Sequence, residues 1–190
     1  MSNTNTFQII AGEHRGRKFS FPDAQGLRPT PGKVRETLFN WIQFETHNKT
    51  YLDLFSGSGA LSFEALSRGA KQVVSVEKDL KAFQSLEKNR KLLKSDKIHL
   101  FNQDALKFLD QKSDETFDFI FLDPPFHQNI LPKALKALSK GNFVAPNSKI
   151  YIESEVEMLE SEVAEFFSQK IKISKQKHSG QVHYCLIEIL

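Results

Sequence analysis

The sequence predicts an α/β fold: a mostly parallel, seven-stranded sheet with helices on both faces, an antiparallel C-terminal hairpin, and an N-terminal extension. Three observations predict it. Short β-rich runs alternate with stretches of helical period from residue 51 to residue 153, which places consecutive strands parallel and buries both sheet faces. The glycine turn SGSG follows the first of these runs and opens a helix. The last two apolar runs are separated by a turn containing Lys, His, Ser and Gly, with no intervening helix, so they form an antiparallel pair.

Taken in order, FQII (7–10) and KFSF (18–21) are two short strands around the loop AGEHRGR, which carries Arg15, Arg17 and two glycines; Lys18 opens the second strand. Thr30 and Pro31 start a helix with Val34, Leu38, Trp41 and Ile42 on one side. Then follow a strand at YLDLF (51), a helix over 59–68, a strand at QVVSVE (72) and a helix over 80–93. A strand at KIHLF (97), a short helix over 105–110, a strand at FDFIFL (117), a helix over 130–139 and a strand at SKIYIE (148) continue the alternation. KIKIS near 170 and VHYCLIEI from 182 form the closing hairpin, and residues 153–165, with six glutamates and no Lys or Arg, read as a solvated helix or loop. There is no internal repeat and no low-complexity linker. The expected organisation is one domain over 1–190, with 1–45 as the extension and 46–190 as the core.

Composition narrows the function classes. At 190 residues, 39% hydrophobic and 26% charged, the chain has ordinary globular composition and room for a core. No run of eighteen apolar residues occurs and the opening MSNTNTF is polar, which argues against membrane insertion and secretion. The single cysteine, Cys185, supports neither an internal disulfide nor a CxxC metal site, so a reduced cytoplasmic setting and no metal are expected. Residues 1–50 hold seven Lys or Arg against four acids, whereas the rest holds nineteen of each, so the whole excess of +3 lies in the extension. That is either a solvated face or a surface facing phosphates.

Chemistry concentrates in DLFSGSGALSFEAL (53–66) and FDFIFLDPPF (117–126). A glycine turn between strand and helix lets backbone amides approach a ligand, but Ser62 stands where the dinucleotide fingerprint needs its third glycine, so a smaller adenosine ligand fits better than a pyrophosphate. Glu77 ends the next strand, 20 residues after Gly57, where an acid accepts from both ribose hydroxyls or else helps start the following helix, for which Asp79 is also available. Asp104 is either a helix N-cap or the acceptor for an adenine amine. DPPF sits at the carboxyl end of the fourth strand, on the same rim. Its prolines fix φ and remove donors, leaving the Asp123 carboxylate and the Pro124 carbonyl as two acceptors for the two N–H bonds of an exocyclic amine, with Phe126 able to stack on the base. Held so, the nitrogen lone pair points at an electrophilic methyl group and catalysis comes from positioning. The bland alternative is a rigid strand-to-loop turn.

IIAGEHRGRKF (9–19), RPTPGKVRETLFNWI (28–42), YLDLFSGSGALSFEALSRGA (51–70) and FDFIFLDPPF (117–126) resemble the class I S-adenosylmethionine-dependent methyltransferases, and within them the RsmD family of bacterial small-subunit ribosomal RNA guanine-N2 methyltransferases. The resemblance implies a Rossmann-like class I methyltransferase fold, S-adenosyl-L-methionine as cofactor, and one guanine of 16S rRNA as target, in the small ribosomal subunit or its assembly intermediate. It implies that Asp53, Phe55, Ser56 and the turn Gly57, Ser58, Gly59 border the methionine part of the cofactor, Glu77 and Lys78 the ribose, and Asp104 with Ala105 the adenine. It further implies that Arg28, Thr30 and Arg35 close over the cofactor, that Asp123, Pro124, Pro125 and Phe126 hold the guanine, and that Arg15, Arg17 and Lys18 face the RNA. The chain is expected to act as a monomer. The rival readings are a dehydrogenase, disfavoured by Ser62 and DPPF, a non-catalytic RNA-binding assembly factor, and an adenine-N6 methyltransferase acting on DNA or RNA.

Overall fold

The computed structural model describes residues 4–23, 30–111 and 113–190. Arg28 lies outside the described residues. The extension contributes β1 (Thr4–Gln8), β2 (Lys18–Pro22) and α1 (Gly32–Trp41). The core follows as β3 (Thr50–Asp53), α2 (Ala60–Ser67), β4 (Gln72–Glu77), α3 (Leu80–Leu93), β5 (Ile98–Asn102), α4 (Ala105–Leu109), β6 (Phe119–Leu122), α5 (Leu131–Lys140), β7 (Lys149–Ser154), α6 (Glu160–Ala164), β8 (Ile171–Ser179) and β9 (Val182–Ile189). The strand order is β5-β4-β3-β6-β7-β9-β8, parallel throughout except for the pairings of β9. The seven strands and the closing hairpin are those the strand pattern predicts. No helix among the described residues is long and apolar enough to cross a membrane.

Strand period explains the two cores. Tyr51, Phe119, Phe121 and Tyr151 point to one face, under α1, α2, α3 and the N-terminal hairpin, while Leu52, Ile120, Leu122, Ile150 and Ile152 point to the other, under α4 and α5. Both faces are covered, so the inner strands read as unbroken apolar runs. The chain reverses direction of growth between β3 and β6, which makes the carboxyl ends of those two strands the crevice of the sheet.

The extension is fastened to the helices. Phe19 stacks on Phe63 of α2 at 4.9 Å, and the Ser20 carbonyl accepts from Ser85 Oγ (2.7 Å) and Asn89 Nδ2 (2.9 Å) of α3. The loop after β1 docks on the far end of α2: a Cβ on Gly12, whose φ is +85°, would lie 1.9 Å from the Ser67 carbonyl oxygen, so no larger residue fits there. Glu64, fully buried in α2, accepts from the amides of Ile10 (2.9 Å) and Ala11 (3.0 Å) and pairs with Arg68 (2.8 Å) and Arg35 (3.5 Å). Arg35 also donates to the carbonyls of Thr30 (3.2 Å) and Gln8 (3.1 Å).

Three expectations are revised. The first strand occupies residues 4–8, earlier than 7–10, because Ile9 already belongs to the closing loop, its amide on the Arg17 carbonyl and its own carbonyl accepting from Gly16. Thr30 does not cap α1; Pro31 occupies the N-cap with no side-chain bond, and the helix begins at Gly32. Glu153 is not solvated but 4% exposed, at the end of β7. Because Glu64 joins two cations and two amides while fully buried, Glu64→Ala should lower unfolding free energy by about 3–5 kcal/mol, read as a shift in the urea midpoint.

Candidate active site

Asp53 ends β3, and its side chain lies on the α1/α2 face with Tyr51. The chain then turns through Phe55 to Gly59, with Gly57 at φ +52° and Gly59 at φ +81°, into α2. Gly59 is confined sterically as well: a Cβ there would lie 2.5 Å from Leu86 and 2.6 Å from Phe63. Ser62 occupies the first turn of α2, where it donates to Asp53 Oδ2 at 2.6 Å and shares a 2.6 Å bond with Ser75 Oγ of β4. The residue that breaks the dinucleotide fingerprint thus holds a site carboxylate in place.

Glu77 ends β4 one strand away. Its Oε2 accepts from the Gly57 amide and its Oε1 from the Asp79 amide, both at 2.7 Å, so it fastens the glycine turn to the start of α3. Asp79 itself caps α3 through Ala82, which removes the need for Glu77 to do so. Lys78 is exposed, and its carbonyl, with that of Glu77, accepts from Asn102 Nδ2. Asp104 caps α4 through Oδ1, accepting from Leu106 and Lys107, and Ala105 is buried at the first helical position.

β6 delivers Asp123 to the same rim, where a pocket is lined by Thr30, Asp53, Phe55, the Ser56–Ser58 turn, Ala60, Leu61 and Asp123. Pro124 is buried, Pro125 exposed and Phe126 half-buried, and the Pro124 carbonyl accepts no hydrogen bond among the described residues. The loop after Phe126 is held by Glu155, which accepts from the His127 amide and from His127 Nδ1 at 2.7 Å. Arg35 does not line the pocket; its guanidinium holds the Thr30 carbonyl, so it sets the position of Thr30.

The carboxylates share an environment. Burial pushes Asp53 up to about 7, against the pull of the Ser62 hydroxyl and the Phe55 amide. Burial, then the charges of Glu153 and Asp53, raise Asp123 well above the ordinary range. Burial likewise raises Glu77, opposed by the Asp79 and Gly57 amides. Glu153, which the sequence reading placed in a solvated stretch, also stands at about 7 through burial, with hydrogen bonds from Tyr151 and Thr30 opposing. Its sequence signal is its place: it ends the strand beside β6 just as DPPF begins.

Arg15 and Lys18 are exposed, and Arg17 donates to the Leu92 carbonyl at the C-terminal end of α3. They lie where α2 and α3 end, at the edge of the molecule opposite the rim, at least one length of α2 from Asp123, on the order of 12 Å.

A family model, Conserved hypothetical protein 95, matches residues 7–188. Proteins named Ribosomal RNA small subunit methyltransferase D are 46% identical over 78% of this chain and 78% of the relative in Haemophilus influenzae, and 40% identical over 98% and 92% in Escherichia coli K12. The chain belongs to the ribosomal RNA small subunit methyltransferase D (RsmD) family. The solved structure of an Escherichia coli protein described as a methyltransferase superposes with a TM-score of 0.87 at 38% identity, covering 97% of this chain and 98% of that one. A Haemophilus influenzae protein described as a methylase superposes with a TM-score of 0.81 at 38% identity, covering 98% and 99%. The fold is thus Rossmann-like, that of methyltransferases in this family.

Asp53 keeps its proton to about pH 7 when folded but only to about 3.8 when unfolded, so its ionisation weakens folding as pH rises between those values. Asp53→Asn should therefore gain stability relative to wild type as pH rises from about 4 to about 7 and hold that gain above it, checked by urea unfolding across that series.

Proposed function

We propose that this chain is a ribosomal RNA methyltransferase that uses S-adenosylmethionine to methylate the exocyclic N2 of guanine 966 of 16S rRNA. The observation that carries the reading is the rim itself: Asp123 follows β6, beside the β3–α2 turn, in a pocket whose described ionisable lining is acidic, and the Pro124 carbonyl follows it in the chain. The lining fits the cofactor chemically. Buried carboxylates favour a ligand carrying ammonium and sulfonium charge, and Glu77, next to the glycine turn, offers acceptors to ribose hydroxyls. When bound, the cofactor supplies an electrophilic methyl group on sulfur. Asp53 and the turn would hold its methionine end, Glu77 with Lys78 its ribose, and Asp104 with Ala105 its adenine; Thr30, held by Arg35, would close the near side, and the family resemblance adds Arg28 to the cofactor's contacts.

Asp123 and the Pro124 carbonyl accept the two N–H bonds of the target amine, and Phe126 stacks on the base. This fixes the nitrogen lone pair toward the methyl group and excludes other orientations. The chain acts as a single domain and a monomer in the cytoplasm, on the small subunit or its assembly intermediate. Because Arg15, Arg17 and Lys18 sit opposite the rim, their phosphate contacts require a substrate extending well past the flipped nucleotide, which a folded ribosomal particle supplies.

Asp123→Ala should slow transfer by about a hundredfold or more while cofactor affinity stays within a few-fold, whereas Glu77→Ala should weaken cofactor binding by roughly 1–3 kcal/mol; single-turnover rates and calorimetry separate the two. Labelled cofactor offered in parallel to small-subunit particles, deproteinised ribosomal RNA and duplex DNA should label one guanine N2 in particles. Preferential labelling of DNA or of adenine would contradict the reading. Arg15→Glu with Lys18→Glu, which spares the Arg17 contact to α3, should lower particle methylation and flatten its salt dependence while leaving cofactor affinity unchanged.

A further inference from the structure

Glu153 has no part in the chemistry described above, yet it is a carboxylate buried to 4% exposure at the reacting rim. Its placement follows from register. Leu122 of β6 pairs with Ile152 of β7 in parallel, so Asp123 and Glu153 leave neighbouring strands side by side. The two-residue period puts Glu153 on the face of Tyr151, which is the face of Phe121 and hence of Asp123. The Tyr151 hydroxyl donates to Glu153 Oε1 at 3.0 Å. The titratable groups facing it are Asp53 from β3, Asp123 from the end of β6, Tyr151 from its own strand and Tyr184 from β9, its register partner. Among the described residues none of the ion pairs involves Glu153. An amide or an apolar side chain would occupy this position without the cost of burying a charge, so packing gives no reason for an acid here.

We propose that Glu153 and Asp123 work as one proton-accepting carboxylate pair, with Glu153 the second member that holds the proton released by the target amine. The inference rests on the methyl-transfer reading. As the nitrogen lone pair forms the N–C bond, the electrons of the S–C bond go to sulfur, and the positive charge passes to the nitrogen. One N–H proton then leaves to Asp123, restoring a neutral methylamino group. Two carboxylates at adjoining strand ends, Glu153 buried and Asp123 half-buried, resist ionising together, so the pair takes up that proton more readily than a lone, solvated aspartate would. A general base is most effective when it titrates near the working pH, and burial plus mutual repulsion moves the pair in that direction. The Tyr151 hydroxyl opposes this by favouring ionised Glu153, which tempers the upward shift of the pair. Tyr151 is therefore a positioning residue. The macroscopic steps belong to the pair and not to either acid alone.

The test uses the full-length protein and three near-isosteric variants. The infrared band of protonated buried carboxyl groups is followed against pH in wild type, Glu153→Gln, Asp123→Asn and Tyr151→Phe, alongside single-turnover methylation of small-subunit particles. Removing either acid should lower the titration midpoint of the one that remains, and Tyr151→Phe should raise that of the pair. Glu153→Gln should slow transfer roughly tenfold to a hundredfold with cofactor affinity unchanged within about twofold. Independent midpoints, or full transfer rate in Glu153→Gln, would overturn the proposal. If that variant does not fold, an unmoved midpoint in Tyr151→Phe overturns it equally. A wild-type protein that transfers no methyl group would sink the methyl-transfer reading and the proton step with it, while coupled midpoints would still report the pair.

Discussion

The burial of acids at the carboxyl ends of adjacent parallel strands is the constraint around which this molecule is organised. Asp53, Asp123 and Glu153 end or follow β3, β6 and β7 on one face, and each is held above its ordinary titration range chiefly by burial. Such a cluster is unfavourable in the empty protein. It persists because the surrounding fold is over-determined: Ser62, backed by Ser75, fixes Asp53, Tyr151 fixes Glu153, and Glu77 ties the glycine turn to β4. The strand order then gathers these acids at the crevice between β3 and β6.

A second buried charge cluster connects the extension to that crevice. Glu64 gathers the loop after β1, Arg68 and Arg35, and Arg35 in turn holds the carbonyl of Thr30, a pocket-lining residue. The N-terminal hairpin is thus a structural wall of the site as well as a carrier of basic residues. Its phenylalanines pack on α2 and its backbone on α3, so the residues most distant from the reaction keep the near side of the pocket in place.

The sheet, its helices and the closing hairpin were legible in the sequence because both sheet faces are covered and strand and helix periods alternate without interruption. The glycine turn, Glu77 and DPPF were legible because each sits at a strand end, the position where such a sheet binds ligands. Asp104 was ambiguous for a physical reason: an acid just before a helix serves as a cap whether or not it meets a ligand, and here it caps. Glu153 was hidden by its neighbours, since the five glutamates that follow it between 155 and 165 make the stretch look solvated. Only the register of β6 against β7 sets it apart. The role of Arg35 was equally hidden, because its partners are backbone carbonyls and a glutamate 29 residues away in the chain.

If a cationic methyl donor relieves the acid cluster, its arrival must release protons. Calorimetric titration of S-adenosylmethionine, and separately of its neutral thioether product S-adenosylhomocysteine, in buffers of different ionisation enthalpy near the value of about 7 held by Asp53 measures this directly. The account predicts that the sulfonium form displaces more protons than the thioether form and that its affinity rises with pH through that range. Equal proton release by the two ligands, together with a pH-independent affinity difference, would contradict it.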